Sequence, residues 1–287
     1  MTPLRQRMLE DMQLRGLAQR TQEAYLSAVQ QLAVHFAKSP DLISEDELRQ
    51  YFLFLCNEKR VAPNTSNVAL NAIKFLSTYT LQRPWPLRDV LRPPIPQKLP
   101  VVLAPEEVWR IIEHVRRPDY CVCLSVIYAC GLRLLEGVRL QIAQIDSARM
   151  QLHIRGGKGN KDRAVPLPPR TLSLLRAHWR LQRNPVWLFP ATPPPGTRHA
   201  SKPMDASGLQ KAFRHAVQTA GVHKPATIHS LRHSWATHLL ESGVSVRVLQ
   251  LWMGHASPTT TAIYTHLTQH AEQTAATALE RLTAGLP

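Results

Sequence analysis

Apolar residues recur at helical spacing over most of this chain and alternate as a strand in only one place. In residues 1–80, Thr2-Pro3 opens a helix that Gly16 can end, and Tyr25, Val29, Leu32 and Phe36 form one face of a second. Ser44 followed by Glu47 is a capping-box pattern ahead of Leu48, Tyr51, Phe52 and Leu55. Asn64-Thr65 starts a fourth helix through Leu70, Ile73 and Leu76. Four short helices with apolar faces predict a compact bundle. Between Arg83 and Pro100 there are six prolines, which remove backbone donors and disfavour helix, so this stretch reads as a semi-rigid connector. The expected layout is therefore an N-terminal domain over 1–82, a linker over 83–100 and a second domain over 101–287.

The second domain has a mixed pattern. Pro105-Glu-Glu begins a helix through Val108, Ile111, Ile112 and Val115, with two carboxylates suited to the helix dipole and Ala104 where a capping hydroxyl is expected. Residues 120–130 form a largely apolar helix broken by Gly131, which leaves Arg133 at an element boundary. Met150, Leu152 and Ile154 alternate as a strand, Gly156 to Asn160 is a turn, and Arg163 to Leu167 returns. Pro169 to Arg183 is amphipathic, Trp187-Leu-Phe reads as a short buried strand, and Thr192 to Pro203 as an exposed loop. Asp205 starts a helix with Leu209, Phe213 and Val217 that Gly221 closes. The fold class is mainly α with a small antiparallel β-hairpin or sheet, an α+β arrangement.

Near the C-terminus, Ile228, Leu231, Trp235 and Leu239 recur at helical spacing with Gly243 as a stop, so His229 and Arg232 project from nearly one face. Val246, Leu249 and Met253 suggest a second short helix ended by Gly254, which presents His255 at a turn. Ser257-Pro258 looks like a cap, placing Tyr264 about two turns further on. A phenol is a poor nucleophile at neutral pH, its ordinary pKa being about 10, so a tyrosine used for attack needs partners that take its proton or hold its target. Two histidines and an arginine are suitable partners for a phosphate.

Charge points the same way. The 287 residues carry 35 Lys+Arg against 20 Asp+Glu, a formal +15 with pI near 10.3. Residues 1–100 hold 13 basic against 9 acidic residues and residues 101–287 hold 22 against 11, so the second domain carries most of the field. An anionic partner is implied, nucleic acid first, although a basic ribosomal or membrane-surface protein would share that balance, and polyanion binding should be strongly salt-dependent. No run of about 18 apolar residues appears and the first residues lack a signal core, so a cytoplasmic protein is expected. Cys56, Cys121, Cys123 and Cys130 form no CxxC pair and lie among apolar residues, which reads as reduced core thiols.

Three segments together resemble the tyrosine recombinases, the phage integrase family that includes the Xer-type enzymes. Tyr128-Ala-Cys-Gly-Leu-Arg133-Leu-Leu-Glu136 resembles the first signature box, and Gly157-Lys158-Gly159-Asn160-Lys161-Asp162-Arg163 resembles the lysine-bearing hairpin. His229-Ser-Leu-Arg232, Gly254-His255 and Ala262-Ile-Tyr264-Thr-His266 resemble the second box. Spread over roughly 140 residues in the family's order, the combination is far more specific than any single piece. Leu135 departs from the pattern, standing where a small or polar residue is common, but it touches none of the implied chemistry.

The resemblance implies an N-terminal four-helix core-binding, SAM-like domain that clasps DNA and a C-terminal tyrosine recombinase catalytic domain. Tyr264 is then the nucleophile, Arg133 and Arg232 grip the non-bridging oxygens, Lys158 is general acid, His229 accepts a proton and His255 donates to the phosphate, with Glu136 orienting Arg133. No cofactor and no metal is needed, because the covalent ester conserves the bond. The partners implied are double-stranded DNA with specific recombination sites and further subunits, as a homotetramer on DNA or with a second recombinase. Thr268 to Leu282, with Ala271, Ala275, Ala278 and Leu282 on one stripe, could pad its own domain, but the family passes its C-terminal segment to a neighbouring subunit, which makes this stripe a candidate oligomer contact. Arg20, Lys59, Arg60, Lys74, Lys161, Arg163, Lys202 and Arg247 are candidate DNA contacts, and Arg214 a further one.

Three other readings compete. A type IB topoisomerase shares the chemical logic but relaxes DNA without a partner duplex. A non-catalytic DNA-binding accessory protein would keep the fold without needing Tyr264. His229 and His233 at i,i+4, with His238 nearby, resemble a zinc pair, but residue 230 is Ser where a metalloprotease has a carboxylate, and Arg232 repels a cation.

Overall fold

In the computed structural model the described residues are 2–85, 100–156 and 162–254, and the chain divides into two compact units, residues 1–98 and 99–287. The described residues of the first unit form four helices, α1 (Pro3–Leu14), α2 (Gln19–Phe36), α3 (Glu45–Leu53) and α4 (Pro63–Phe75). The Ser44 hydroxyl accepts from the Glu47 N–H and the Glu47 carboxylate accepts from the Ser44 N–H, so the expected capping box is closed in both directions. Leu26, Val29 and Leu32 of α2 meet Leu70 and Ile73 of α4, and Met8, Met12, Tyr51 and Phe52 complete the core. Both α3 and α4 run on into a single π-helical turn, Phe54–Glu58 and Leu76–Thr80. The fourth helix starts at Pro63 and not at Asn64-Thr65, because proline at the first helical position already has the required φ and lacks the N–H that would go unpaired there.

The described part of the second unit contains α5 (Pro105–Glu113), α6 (Pro118–Ala129), α7 (Leu134–Val138), β1 (Ile145–Asp146), β2 (Gln151–Ile154), β3 (Arg163–Pro166), α8 (Pro169–Gln182), α9 (Ala206–Thr219), α10 (Ile228–Glu241) and α11 (Val246–Met253). Apolar on every face, α6 lies in the middle, packed by α5, α7, α8 and α10 and burying Cys123, Leu124, Val126 and Ile127. The sheet is antiparallel in the order β1-β2-β3, with Leu152 opposite Val165 and Ile154 opposite Arg163. Leu103 donates its N–H to the Ser234 hydroxyl of α10 at 2.8 Å, tying the entering chain to the helix that carries His229 and Arg232. The mostly helical architecture with one small sheet is the class read from the pattern.

Several local expectations change. Met150 is not in the strand: Asp146 accepts from the N–H groups of Ala148 and Arg149, an Asx turn that leaves Met150 at φ 53° and adds β1 as a partner. Trp187-Leu-Phe is no strand either, since Pro185 and Pro190 bracket it and allow only a single bridge between Gln141 and Trp187. Leu188 and Phe189 are nevertheless buried. Cys56 is exposed while Cys121 is half-buried and Cys123 and Cys130 are buried; all four are free thiols. Ala104 has no side chain to cap α5, and the Glu107 carboxylate compensates by accepting from its N–H at 2.8 Å. Most of the proline-rich connector, the Ser257-Pro258 cap and the Thr268 to Leu282 stripe lie outside the described residues. Among the described residues no helix is long and apolar enough to cross a membrane.

The short helix α7 is seated by Gly137, where an added Cβ would stand 2.4 Å from Cγ1 of Ile127. Gly137→Ala should therefore cost about 1–3 kcal/mol through overpacking alone. A thermal melt checks it, the expectation being a clear fall in Tm with unchanged helical circular dichroism.

Candidate active site

The site begins where α6 stops. Gly131 turns the chain at φ 58°, and a Cβ there would fall 2.3 Å from the Trp235 ring of α10, so glycine is required by both backbone and packing. Two residues later Arg133 occupies the N-cap of α7. Glu136, in the first turn of α7, reaches back: Oε2 accepts from the Arg133 N–H at 2.8 Å and Oε1 from its Nη1 at 2.8 Å. The same carboxylate takes a two-pronged contact from Arg163, Nη1 to Oε1 at 2.9 Å and Nη2 to Oε2 at 2.6 Å. Arg232 of α10 brings its Nη1 to 3.9 Å from Oε2.

The other wall is the end of α11. The last carbonyls of a helix lack intrahelical partners and form the negative end of its dipole. Arg232 Nη2 donates to the Met253 carbonyl at 2.6 Å and Arg133 Nη2 to the same oxygen at 3.4 Å, while Arg163 Nε donates to the Trp252 carbonyl at 2.7 Å. Arg232 Nη1 also donates to the Gly131 carbonyl at 2.5 Å. Gly254 ends α11 at φ 61°, and a Cβ there would lie 2.8 Å from Cδ of Arg163. Side-chain exposure is 23% for Arg133, 11% for Glu136, 6% for Arg163 and 2% for Arg232.

These contacts set the protonation states. Burial pushes the Glu136 carboxyl up, but the hydrogen bonds and charge of Arg163, with the N–H and guanidinium of Arg133, outweigh it and hold the pKa at about 2. His229, one turn before Arg232 and at the solvent edge, lies below the ordinary histidine value. Its partial desolvation comes first, then the charges of Arg232 and Arg133, with Glu136 opposing. A neutral imidazole beside a cationic cluster can accept a proton near neutral pH.

The structure thus gathers Arg133, Glu136 and Arg232, with His229 beside them. Lys158, Lys161, His255 and Tyr264 lie outside the described residues. Arg20, Lys59, Arg60 and Lys74 are exposed on the first unit, and Lys202, Arg214 and Arg247 on the second. Arg163 departs from the expected surface DNA contact: its side chain is largely covered, with its guanidinium committed to Glu136 and the Trp252 carbonyl. No sequence pattern marked the Trp252 and Met253 carbonyls, although Gly254 as a helix stop signals unpaired carbonyls just before it. Among the described residues no group of three His, Cys, Asp or Glu side chains is placed to hold a metal ion.

Comparison with known proteins places this frame in a class. The phage integrase family model matches residues 101–271, and the N-terminal SAM-like domain of phage integrases matches residues 4–87. The chain belongs to the phage integrase family, and it is an enzyme of the tyrosine-type site-specific recombinase class. The protein y4qK of Sinorhizobium fredii, named as an integrase/recombinase, is 44% identical over 265 residues, covering 92% of this chain and 84% of that protein. The tyrosine recombinase XerA of Pyrococcus furiosus is 35% identical over 180 residues, 61% of this chain and 60% of that protein. The structure of the site-specific recombinase XerH bound to palindromic difH substrate, a post-cleavage complex, shares the fold with a TM-score of 0.68 at 23% identity, covering 93% of this chain and 82% of that one.

Glu136 also makes stability depend on pH. Its pKa falls from an ordinary 4.5 to about 2, so its contribution, roughly 3 kcal/mol, is fully present above about pH 4.5 and is lost as pH falls through the folded value. Urea unfolding as a function of pH should show this loss in the native protein. Glu136→Gln, which removes the counter-charge of three guanidinium groups, should be less stable by about 3 kcal/mol at pH 7 and lack that part of the pH dependence.

Proposed function

We propose that this protein recombines DNA at specific sites by cutting and rejoining one strand of each duplex through a phosphotyrosyl link on Tyr264. The observation that carries the reading is the Arg133–Glu136–Arg232 cluster, built from the two signature boxes and closed by the end of α11. The Tyr264 oxygen attacks a backbone phosphorus, forming a 3′-phosphotyrosyl ester and breaking the bond to the 5′-oxygen. The phenolic proton passes to His229, and Lys158 protonates the leaving 5′-oxygen. A 5′-hydroxyl from a second duplex then attacks the same phosphorus and releases Tyr264. Bond number is conserved throughout, so no nucleotide is consumed.

Charge accumulates on the non-bridging oxygens as phosphorus becomes pentavalent, and guanidinium groups already held in place stabilise it without reorganising. His255 adds a hydrogen bond to the same oxygens. Site-specific duplex DNA is the substrate, bound by the net positive second unit and by the four-helix first unit. Assembly is as a tetramer on DNA, with itself or with a second recombinase. The C-terminal segment about 268–287 serves as the subunit contact.

Nicked duplexes tiled across the DNA flanking the coding sequence test this, because the nick lets the cleaved fragment diffuse away and traps the covalent link. The wild-type chain should yield a protein–DNA adduct that survives denaturation. Tyr264→Phe should yield none while its DNA affinity stays within about threefold, and Arg133→Ala should slow adduct formation by about 10²–10³-fold, the usual effect of losing one such donor. As His229 is protonated the rate should fall, with the acid limb below the ordinary histidine range. Relaxation of plasmids lacking paired sites by the monomer would point to a topoisomerase instead.

A further inference from the structure

Arg163 begins the strand that follows the lysine-bearing segment in sequence, and three observations separate it from a surface cation. Its guanidinium makes the two-pronged contact to Glu136, at 2.9 and 2.6 Å, and donates from Nε to the Trp252 carbonyl at 2.7 Å. Its side chain is 6% exposed, less than that of Arg133. The neighbouring backbone is shaped around it: at Gly254 a Cβ would press on Cδ of Arg163 at 2.8 Å. The residue before β3 is itself held, since Gly156 donates its N–H to the Asp162 carboxylate at 2.9 Å.

From this arrangement we infer that Arg163 is a positioning residue for strand cleavage, clamping Glu136 and the end of α11 so that Arg133 and Arg232 stand ready for the phosphate. This rests on the cleavage chemistry proposed above. One side chain ties together three elements that are separate in sequence, α7, β3 and α11, and its planar fork is what makes the clamp. A lysine carries the same charge on a point donor and cannot span both carboxylate oxygens while also reaching the Trp252 carbonyl. The groups facing Glu136 are Arg133 from α7, Arg163 from β3 and Arg232 from α10, with His229 of α10 near enough to sense its charge. Removing Arg163 therefore takes away the strongest partner of that carboxylate, while Arg133 and Arg232 remain.

The test compares wild type, Arg163→Lys and Arg163→Met on the nicked duplex that gives the Tyr264-dependent adduct, at saturating protein in single turnover. Arg163→Lys, which keeps volume and charge, guards against a folding failure. Both variants should slow adduct formation by about 100-fold, the effect of a small misplacement of catalytic groups. Their DNA affinity and its salt dependence should stay as in wild type. In Arg163→Met the rate should also fall more steeply with acid than in wild type, an added loss absent when Glu136→Gln is combined with it. Adduct formation at the wild-type rate in a folded Arg163→Lys overturns the inference. So does a salt slope reduced by about one in Arg163→Met, which marks a lost phosphate contact instead. A wild-type chain that forms no Tyr264-dependent adduct on any of the duplexes overturns the cleavage reading and the inference with it, and is told apart by failing before any variant is compared.

Discussion

One carboxylate makes the arginine cluster possible. Three guanidinium groups converging on one carboxylate repel one another, and like unit charges about 5 Å apart cost roughly 3 kcal/mol per pair in a partly screened interior. Glu136 sits among them with both oxygens engaged, and its pKa of about 2 reports how strongly the ionised form is preferred. The arrangement is reciprocal. Without the arginines a buried carboxylate would be protonated, and without the carboxylate the guanidinium groups could not be taken out of water together.

Geometry comes from a second source, the unfinished end of a helix. Eight residues of α11 deliver the Trp252 and Met253 carbonyls, which have no helical partner, to three arginine side chains. A fixed dipole end costs nothing to preorganise, since its direction is set by the helix packing that buries Leu249 and Met253. Gly254 then allows the chain to leave in the left-handed conformation, with His255 next in sequence. The cluster is consequently attached to rigid elements on every side, which is the condition for holding charged groups to a fraction of an ångström.

How much of this was legible in the sequence depends on the range of the interaction concerned. Local signals were readable because their physics is local: Ser44 with Glu47 as a capping box, Gly131 before Arg133, Gly254 as a helix stop. His229 and Arg232 could be placed on one face because their spacing alone fixes that. The pairing of Arg163 with Glu136 spans 27 residues, and nothing in either neighbourhood distinguishes a buried arginine after a basic turn from an exposed one. Met150 failed for a related reason. Its alternation with Leu152 and Ile154 is real, but the Asp146 carboxylate captures two backbone N–H groups and bends the chain before the strand starts. Cys56 has apolar neighbours in sequence yet is exposed, because it lies on the outward side of the π-helical turn after α3.

The charge balance that results bears on how the proposed chemistry is driven. Arg133, Arg163 and Arg232 against Glu136 leave the cluster with two positive charges, and a neutral His229 adds none. A phosphodiester carries one negative charge in the ground state and approaches two as phosphorus becomes pentavalent. In the proposed chemistry the attraction of this positive cluster therefore grows along the reaction coordinate, which is what lowers a barrier and not merely a dissociation constant. A histidine charged at neutral pH would raise the positive charge in both states and would be unable to take the phenolic proton. In the proposed chemistry the downward shift of its pKa, from partial desolvation first and then from the charges of Arg232 and Arg133, serves the proton transfer and keeps that charge out of the ground state.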